Sequence, residues 1–482
     1  MEKQYNTSSQ WLTIMKMPWH TWRAWQWQKY PAIRLCCAEN QLPKFVRQCA
    51  VSMEIRKWLQ LLDWDYVIEP PKRHQPRTEQ VPTATYIAAF LVKIEQEQRS
   101  IAALRRFLVR HPALVWGLGF PIKSASTPHG FDVEASLPTR EHFSRVLRQM
   151  PNDILQRLMD RQVKQLQRML PEEFGKTISF DTKHILAWVK ENNPKAYVKA
   201  GRYDKTQQPA GDNDCKLGVK RRFNIKTPAK EGQPANNKGI QLIQSYWGYA
   251  SGAVVTKLPT IGEFVLAEVT RTFNDGDTRH FFPLMRHVIR RLGFRPTFAT
   301  ADAAFDAFYI YEFFHDPQTK GFAAIPLSSK SKKTRHFNKE GLPICDADLA
   351  MPVKKVYNDK TKAIMPHRRA IHACPLLHPT PTGKSCPINH TQWPKGGCTT
   401  NIPVSIGARV RVQLDRESQR YTDVFKQRTA VERIFSQAVH LGIERPKLRN
   451  VNSITNQNTL IYLLINVRAM IRLIDNPPQA NS

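Results

Sequence analysis

Between residues 84 and 170, apolar side chains return every three or four positions. TYIAAFLVKIEQEQRSIAALRRFLVRHPALVWGLGF and then LPTREHFSRVLRQMPNDILQRLMDRQVKQLQRML carry that period, which is the mark of amphipathic helices. Thr139 is placed to cap one of them, with Glu141 in its first turn. About five helices are expected on this spacing, a region suited to DNA-end recognition or to dimerisation. Near residue 176 the pattern changes. KTISFD (176–181) predicts a short strand ending in an acid, and SYWGYASGAVVTK (245–257) with GEFVLAEVTR (262–271) predicts an antiparallel pair. The basic stretch between them, GRYDKTQQPAGDNDCKLGVKRRFNIKTPAKEGQPANNKG, is expected as a mobile loop of about forty residues. DTRHFFPLMRHVIRRLG (277–293) reads as an amphipathic helix that opens on Asp277 and closes on Gly293. RPTFATADAAFDAFYIYEFF (295–314) gives a strand, an acid at its C-terminal end, and a helix; GFAAIPLSS (321–329) gives a buried strand. The order of strands and helices predicts an α/β fold with a mixed sheet flanked by helices.

Upstream, five tryptophans (Trp11, Trp19, Trp22, Trp25 and Trp27) interleave with Arg23 and Lys29. They suit stacking on bases or, equally, the core of a small helical unit. EPPKRHQPRTEQVPT (69–83), rich in Pro and charge, reads as a linker.

Charge narrows the function. The chain of 482 residues sets 72 Lys and Arg against 40 Asp and Glu, a net +32. An excess of that size faces solvent and predicts a polyanionic partner, nucleic acid above all; the alternative is a ribosome-type or simply soluble basic protein. With 41% hydrophobic and 10% aromatic residues, general disorder is excluded. NTLIYLLINVRAMIRLI (458–474) is interrupted by Asn466, Arg468 and Arg472, too short and too charged for a spanning helix, so no membrane partner is expected. WHTWRAWQWQKY lacks the apolar run of a signal peptide. A cytosolic protein with reduced cysteines is the expectation.

Two acids fall where strands end, Asp181 and Asp302, and ligands of open sheets gather beyond such ends. A third, Glu432, lies in RTAVERIFSQ (428–437). There Val431, Ile434, Phe435, Ala438 and Val439 form an apolar stripe, and Phe425, Arg428 and Glu432 share the neighbouring face of one helix. A carboxylate at the border of a buried stripe needs a cation, which is either Arg428 or a metal. Three converging carboxylates suit Mg2+ (or Mn2+), and two such ions about 3.5–4 Å apart cleave phosphodiesters. The plainer readings are a turn or cap role for each Asp and an ordinary i,i+4 pair for Arg428 and Glu432. Asp306 rivals Asp302, although its offset places it inside the following helix.

Taken in order, SFDTK, WGY, LAEVTRTFNDGD, TADAAFD, RTAVERIFS and NTLIYLLINVRAMI resemble the DDE-type insertion-sequence transposases over roughly residues 84–475. The resemblance implies an RNase H-like catalytic core in which Asp181, Asp302 and Glu432 hold two Mg2+ (or Mn2+) ions. Related enzymes often carry Tyr, two residues, Arg, three residues, Glu, six residues, Lys. Here Arg428 and Glu432 match, while Phe425 stands at the Tyr position and Val439 at the Lys position. Phe425 retains the ability to stack on a base, and His440, Lys447 or Arg449 can take over the Lys contact; with Arg428 and Arg433 these make the candidate nucleic-acid-binding set. The implied activity is cutting at the ends of a mobile element and joining 3′-hydroxyls to target DNA, with no covalent enzyme intermediate. The implied partners are double-stranded DNA and a second copy of the chain on paired ends, in a prokaryotic cytoplasm at the nucleoid. The corresponding organisation is an aromatic basic region (1–75), a helical DNA-binding or dimerisation domain (76–172), the first part of the catalytic core (173–330), a Cys/His-bearing β-type insertion (331–420) and helices completing the core (421–476). A metal-dependent nuclease on the same core and a non-catalytic, transposase-derived DNA-binding protein are the alternatives.

Cys345, Cys374, Cys386 and Cys398 lie between the second and third acids, among His367, His372, His378 and His390. Four cysteines in one region of a reduced protein suit a structural zinc site; a loop-rich β insertion with free thiols is the other reading. Cys36, Cys37, Cys49 and Cys215 show no such pattern.

Overall fold

Helices come first along the chain because their apolar positions keep the helical period. In the computed structural model, which describes residues 31–67, 80–193, 202–227, 236–328, 336–359 and 364–476, the longest of them are α1 (Ala50–Leu59), α2 (Thr83–Glu95), α3 (Ile101–Val109), α4 (Arg140–Gln149) and α5 (Asn152–Met169). Ser100 caps α3 and Thr139 caps α4, as its sequence suggests, each accepting a backbone N–H three residues on. The tryptophans from Trp11 to Trp27 and most of the expected linker lie outside the described residues.

These helices belong to one of two compact units, Met1–Leu166 with Ile185–Cys215 and Gln437–Ser482. Its core includes the C-terminal helix, Val451–Asp475, in which every residue from Leu460 to Val467 is buried. Each such Leu or Ile contributes about 1.5–3 kcal/mol on leaving water. The same helix carries buried polar groups, and several of them are hydrogen-bonded within this unit. Asn456 donates to the carbonyls of Leu147 (2.8 Å) and Met150 (2.9 Å), and Asn152 donates to Asn456 (3.0 Å) and Thr459 (2.9 Å). Lys93 donates to Gln457 at 3.2 Å, and Arg468 pairs with Glu95 at 2.9 Å. Polar contacts at these positions make it a core helix of a folded unit. Among the described residues no helix is long and apolar enough to cross a membrane.

The second unit is Gln167–His184 with Lys216–Ser436. Its main sheet contains β1 (Thr177–Leu186), β2 (Lys216–Thr227), β3 (Asn236–Leu258), β4 (Gly262–Thr272), β5 (Phe298–Thr300) and β6 (Phe322–Ala324). The order is β2-β3-β1-β5-β6, with β4 also paired to β3. The long β3 is antiparallel to β2 through its first part and to β4 through its second, while β1, β5 and β6 run parallel to their neighbours in that trio. The fold is therefore mixed α/β.

Three expectations need correction. The basic stretch after residue 200 is not all loop, because Lys216–Thr227 forms a strand along β3; its many Lys and Arg hid a segment held by ladder hydrogen bonds. The first strand does not end at its acid but continues to Leu186. Asp277 opens a 3-10 turn, Asp277–His280, before α6 (Phe281–Leu292), which closes on Gly293 at φ 82° as its sequence suggests.

Beyond α7 (Phe308–Phe314), the Cys- and His-bearing segment forms a three-stranded antiparallel sheet in the order β9-β8-β7, from β7 (Val353–Asp359), β8 (His367–Ala373) and β9 (Thr399–Pro403). It is followed by α8 (Ile406–Gln413), α9 (Gln419–Lys426) and α10 (Thr429–His440). Gly407 lets α8 approach α7 closely, since a Cβ there would lie 2.1 Å from the Phe308 carbonyl oxygen.

Candidate active site

The parallel register of β1 and β5 brings two acids together. Ser179 is opposite Thr300, where β5 ends; β1 reaches the same face two residues on, at Asp181, and Asp302 follows two residues past the end of β5. Asp181 accepts the Thr182 N–H at 2.7 Å. Asp302 accepts the Ala304 N–H at 2.9 Å and caps the short turn that leaves β5. Burial pushes Asp181 up from 3.8 to about 7, and the Asp302 and Asp277 charges add to that rise, against the Thr182 hydrogen bond and the Arg428 guanidinium. Asp302 is raised in the same way, first by burial and then by Asp277, with the Ala304 hydrogen bond and Arg428 opposing. Two carboxylates are thus held together at a cost relieved only in part by one cation.

Asp277 is the acid that sequence reasoning missed as a member of this cluster. The Thr182 hydroxyl, next to Asp181, donates to it at 2.5 Å. The available signal was the DGD turn ahead of a helix, which reads simply as a helix opener.

Glu432 takes part through Arg428. The two form an ion pair at 2.8 Å, and the Glu432 side chain is 48% exposed. The single helix expected across Phe425, Arg428 and Glu432 is broken: α9 ends at Lys426 and α10 begins at Thr429, so Arg428 sits in the intervening turn. That turn aims one guanidinium at Glu432 while its charge reaches Asp181 and Asp302. Among the described residues no group of three or more His, Cys, Asp or Glu side chains is placed to hold a metal ion.

Asp306 is saturated. It accepts from Arg411 Nε (2.6 Å) and Nη2 (2.5 Å), the Tyr311 hydroxyl (3.0 Å) and the Ser328 N–H (2.8 Å). Burial opposes its ionisation, but these donors, Arg411 foremost, hold it below the usual carboxylate range. No lone pair is left over for a ligand, which separates it from Asp302.

Of the other candidates, Phe425 stacks on Tyr421 at 5.8 Å and packs on the cluster of Phe322, Ala324, Tyr421 and Val424, with the Arg428 guanidinium 5.9 Å from its ring centre. Arg433 is engaged by Glu263, with Nε 2.7 Å from the carboxylate. His440, Lys447 and Arg449 are exposed residues of the other unit, where Arg449 lies 5.0 Å over the ring of Trp188. Cys374 and Cys398 are neighbours, and Cys345 is close enough for its charge to be felt; burial first, then these two, pushes Cys398 up to about 11. All four thiols are free, Cys386 among them half-buried. His372 is buried with Nδ1 3.0 Å from the Met351 carbonyl oxygen, and His367 lies 3.5 Å from Asp359.

In comparisons with known proteins, no family model and no curated protein matches the chain.

Proposed function

We propose that this chain is a DNA transposase built on an RNase H-like core, which cuts the ends of a mobile element and joins their 3′-hydroxyls to target DNA. The observation that carries the reading is the proximity of Asp181, on β1, to Asp302, just past the parallel β5, with Arg428 facing both and paired with Glu432. The sheet supports it: three antiparallel strands, β2, β3 and β4, at one side, then β1, β5 and β6 parallel, with Asp181 inside β1 and Asp302 just past the end of β5. The net charge of +32 supplies the attraction for DNA.

Asp181, Asp302 and Glu432 are the residues that would hold Mg2+ or Mn2+. Asp181 and Asp302 offer only oxygen donors, as a hard divalent cation requires, and Glu432 would join them on leaving its ion pair with Arg428. When bound, such ions lower the pKa of the attacking water or hydroxyl and stabilise the leaving oxygen. The chain's own contribution is to keep Asp181 on the sheet and Asp302 at the turn that leaves it, and to set Arg428 beside both and paired with Glu432. In the resting arrangement Arg428 neutralises part of the acidic charge, and on engagement it is free to meet a DNA phosphate. A homodimer on paired ends, located at the nucleoid in the cytoplasm, completes the reading.

The test is strand transfer on DNA carrying the element ends. Asp181→Ala, Asp302→Ala and Glu432→Ala should each abolish magnesium-dependent joining and leave DNA binding intact. Normal joining by the three variants would remove the assignment. Binding without joining by the wild type would favour the non-catalytic reading, and cutting without joining a nuclease.

A further inference from the structure

Two cysteines come together where the ladder of the three-stranded sheet stops. β8 and β9 are antiparallel with Ala373 opposite Thr399, so the next pair outward is Cys374 and Cys398. The Cys374 thiol lies close enough to Cys398 to perturb its ionisation. Opposed residues of an antiparallel pair hold their Cα atoms about 4.5–5.5 Å apart, within the span of about 4.4–6.8 Å that a disulfide bridges. The backbone just before Cys398 gives the same closeness independently. Gly396 and Gly397 both have positive φ (93° and 82°), and a Cβ on Gly397 would lie 2.7 Å from Cys374 Cβ and 3.4 Å from its Sγ. The chain passes this side chain as only glycine permits. Cys345 stands nearby on a tight turn, and Pro352, just after that turn, accepts the Ala373 N–H at 3.1 Å. Among the described residues these thiols form no group placed to hold a metal ion, so this end of the sheet does not fit the zinc site that its cysteines suggest in the sequence. Two adjacent thiols have another chemistry open to them.

We propose that Cys374 and Cys398 are a reversible oxidation site, joined as a disulfide when the chain meets hydrogen peroxide. Cys374 is buried and Cys398 half-buried, so Cys398 is the one that meets the oxidant. Its thiolate attacks one peroxide oxygen, the O–O bond breaks, and the departing hydroxide takes up the proton released by the thiol; the products are a sulfenic acid and water. Cys374 then attacks the oxidised sulfur, and its proton leaves with the hydroxyl as a second water. In all, two thiols and one peroxide give one disulfide and two waters, each sulfur losing one electron and the peroxide gaining two. The bond would close the 375–397 loop into a ring and clasp the sheet at its open end, where β7 is mostly exposed and so small a sheet buries little of its own. Burial, then Cys374 and Cys345, pushes Cys398 up to about 11, so its thiolate is scarce at neutral pH and oxidation is slow there.

The test is peptide mapping of the reduced full chain after hydrogen peroxide at about pH 8.5, where more of the thiol is ionised. Lys384 and Lys395 let trypsin part Cys374, Cys386 and Cys398 from one another. After alkylation and digestion, mass spectrometry should find the Cys374 and Cys398 peptides joined, and dithiothreitol should separate them. Peroxide added in concentrated urea should give at least about fivefold less of this pair, because the unfolded chain no longer opposes the two thiols. Cys345→Ser should leave the linkage in place. Cys374→Ser should abolish it and carry Cys398 on to the sulfinic acid, for want of a partner thiol. Both thiols still open to alkylation after peroxide, Cys398 joined mainly to Cys345, or a linkage formed equally well in urea would each overturn the proposal.

Discussion

Asp181→Asn should make the metal-free protein more stable. The substitution keeps the side-chain shape and the acceptor for the Thr182 N–H, but removes the charge that burial, Asp302 and Asp277 disfavour. Asp181 ionises near 3.8 in the unfolded chain and at about 7 in the fold. That difference, at about 1.36 kcal/mol for each tenfold change, sets an upper value of about 4 kcal/mol. The sign follows from proton counting. Between the two pKa values the folded state holds a proton that the unfolded state has released, so wild-type stability falls as pH rises from 3.8 to about 7. Above that range the full cost is present. Urea unfolding in a chelating buffer should place the variant ahead by up to about 4 kcal/mol near pH 8.5, and the gap should close by about 1.4 kcal/mol per pH below 7.

Magnesium supplies the second half of the experiment. A cation that binds only the folded wild type adds about 2.7 kcal/mol at a hundred times its dissociation constant. The stability gap should therefore shrink on adding magnesium, through the wild type rising and the variant staying still. A variant no more stable than wild type at pH 8.5, or a gap indifferent to pH, would refute the electrostatic account of Asp181. A gap indifferent to magnesium would refute the metal role alone.

Arg428→Ala removes the cation that opposes the rise of Asp181 and Asp302, so both should ionise at higher pH. The acid limb of the pH–rate profile for magnesium-dependent cutting should move upward, and an unmoved limb would remove Arg428 from the site. Lys93→Met tests the core of the other unit. Burial lowers Lys93 from 10.5 to about 8, a cost of about 3 kcal/mol that is fully present below pH 8 and relieved as pH rises to 10.5. Against it stands the bond to Gln457, whose loss leaves a buried acceptor at about 1–3 kcal/mol. The variant should gain up to about 2 kcal/mol in chemical denaturation near neutral pH and lose that advantage by about pH 10.5. A stability difference that does not vary with pH would show that the buried ammonium is not its source.

How much of this was legible in the sequence depends on whether a residue's role is set locally or by register. The helical period, the Thr139 cap and the Gly293 stop are written within a few residues, and they appear where the sequence puts them. The acids at Asp181 and Asp302 were legible as candidates for a similar reason, because each follows a short apolar run. Their adjacency was not local, since it requires β5 to lie beside β1 in register. Asp277 shows the limit of local reading: nothing in DGD says that a Thr hydroxyl from another strand will hold it beside Asp181. The same limit hid the choice between Asp302 and Asp306. Both acids follow the same strand, and the distinction is made by Arg411 and Ser328, 105 and 22 residues downstream of Asp306. A carboxylate with its acceptors filled is part of the scaffold, whereas one left with an opposing carboxylate and a shared cation retains capacity for a ligand. By that criterion Asp181 and Asp302 stand on the ligand side and Asp306 on the scaffold side, while Glu432 is held in its ion pair with Arg428.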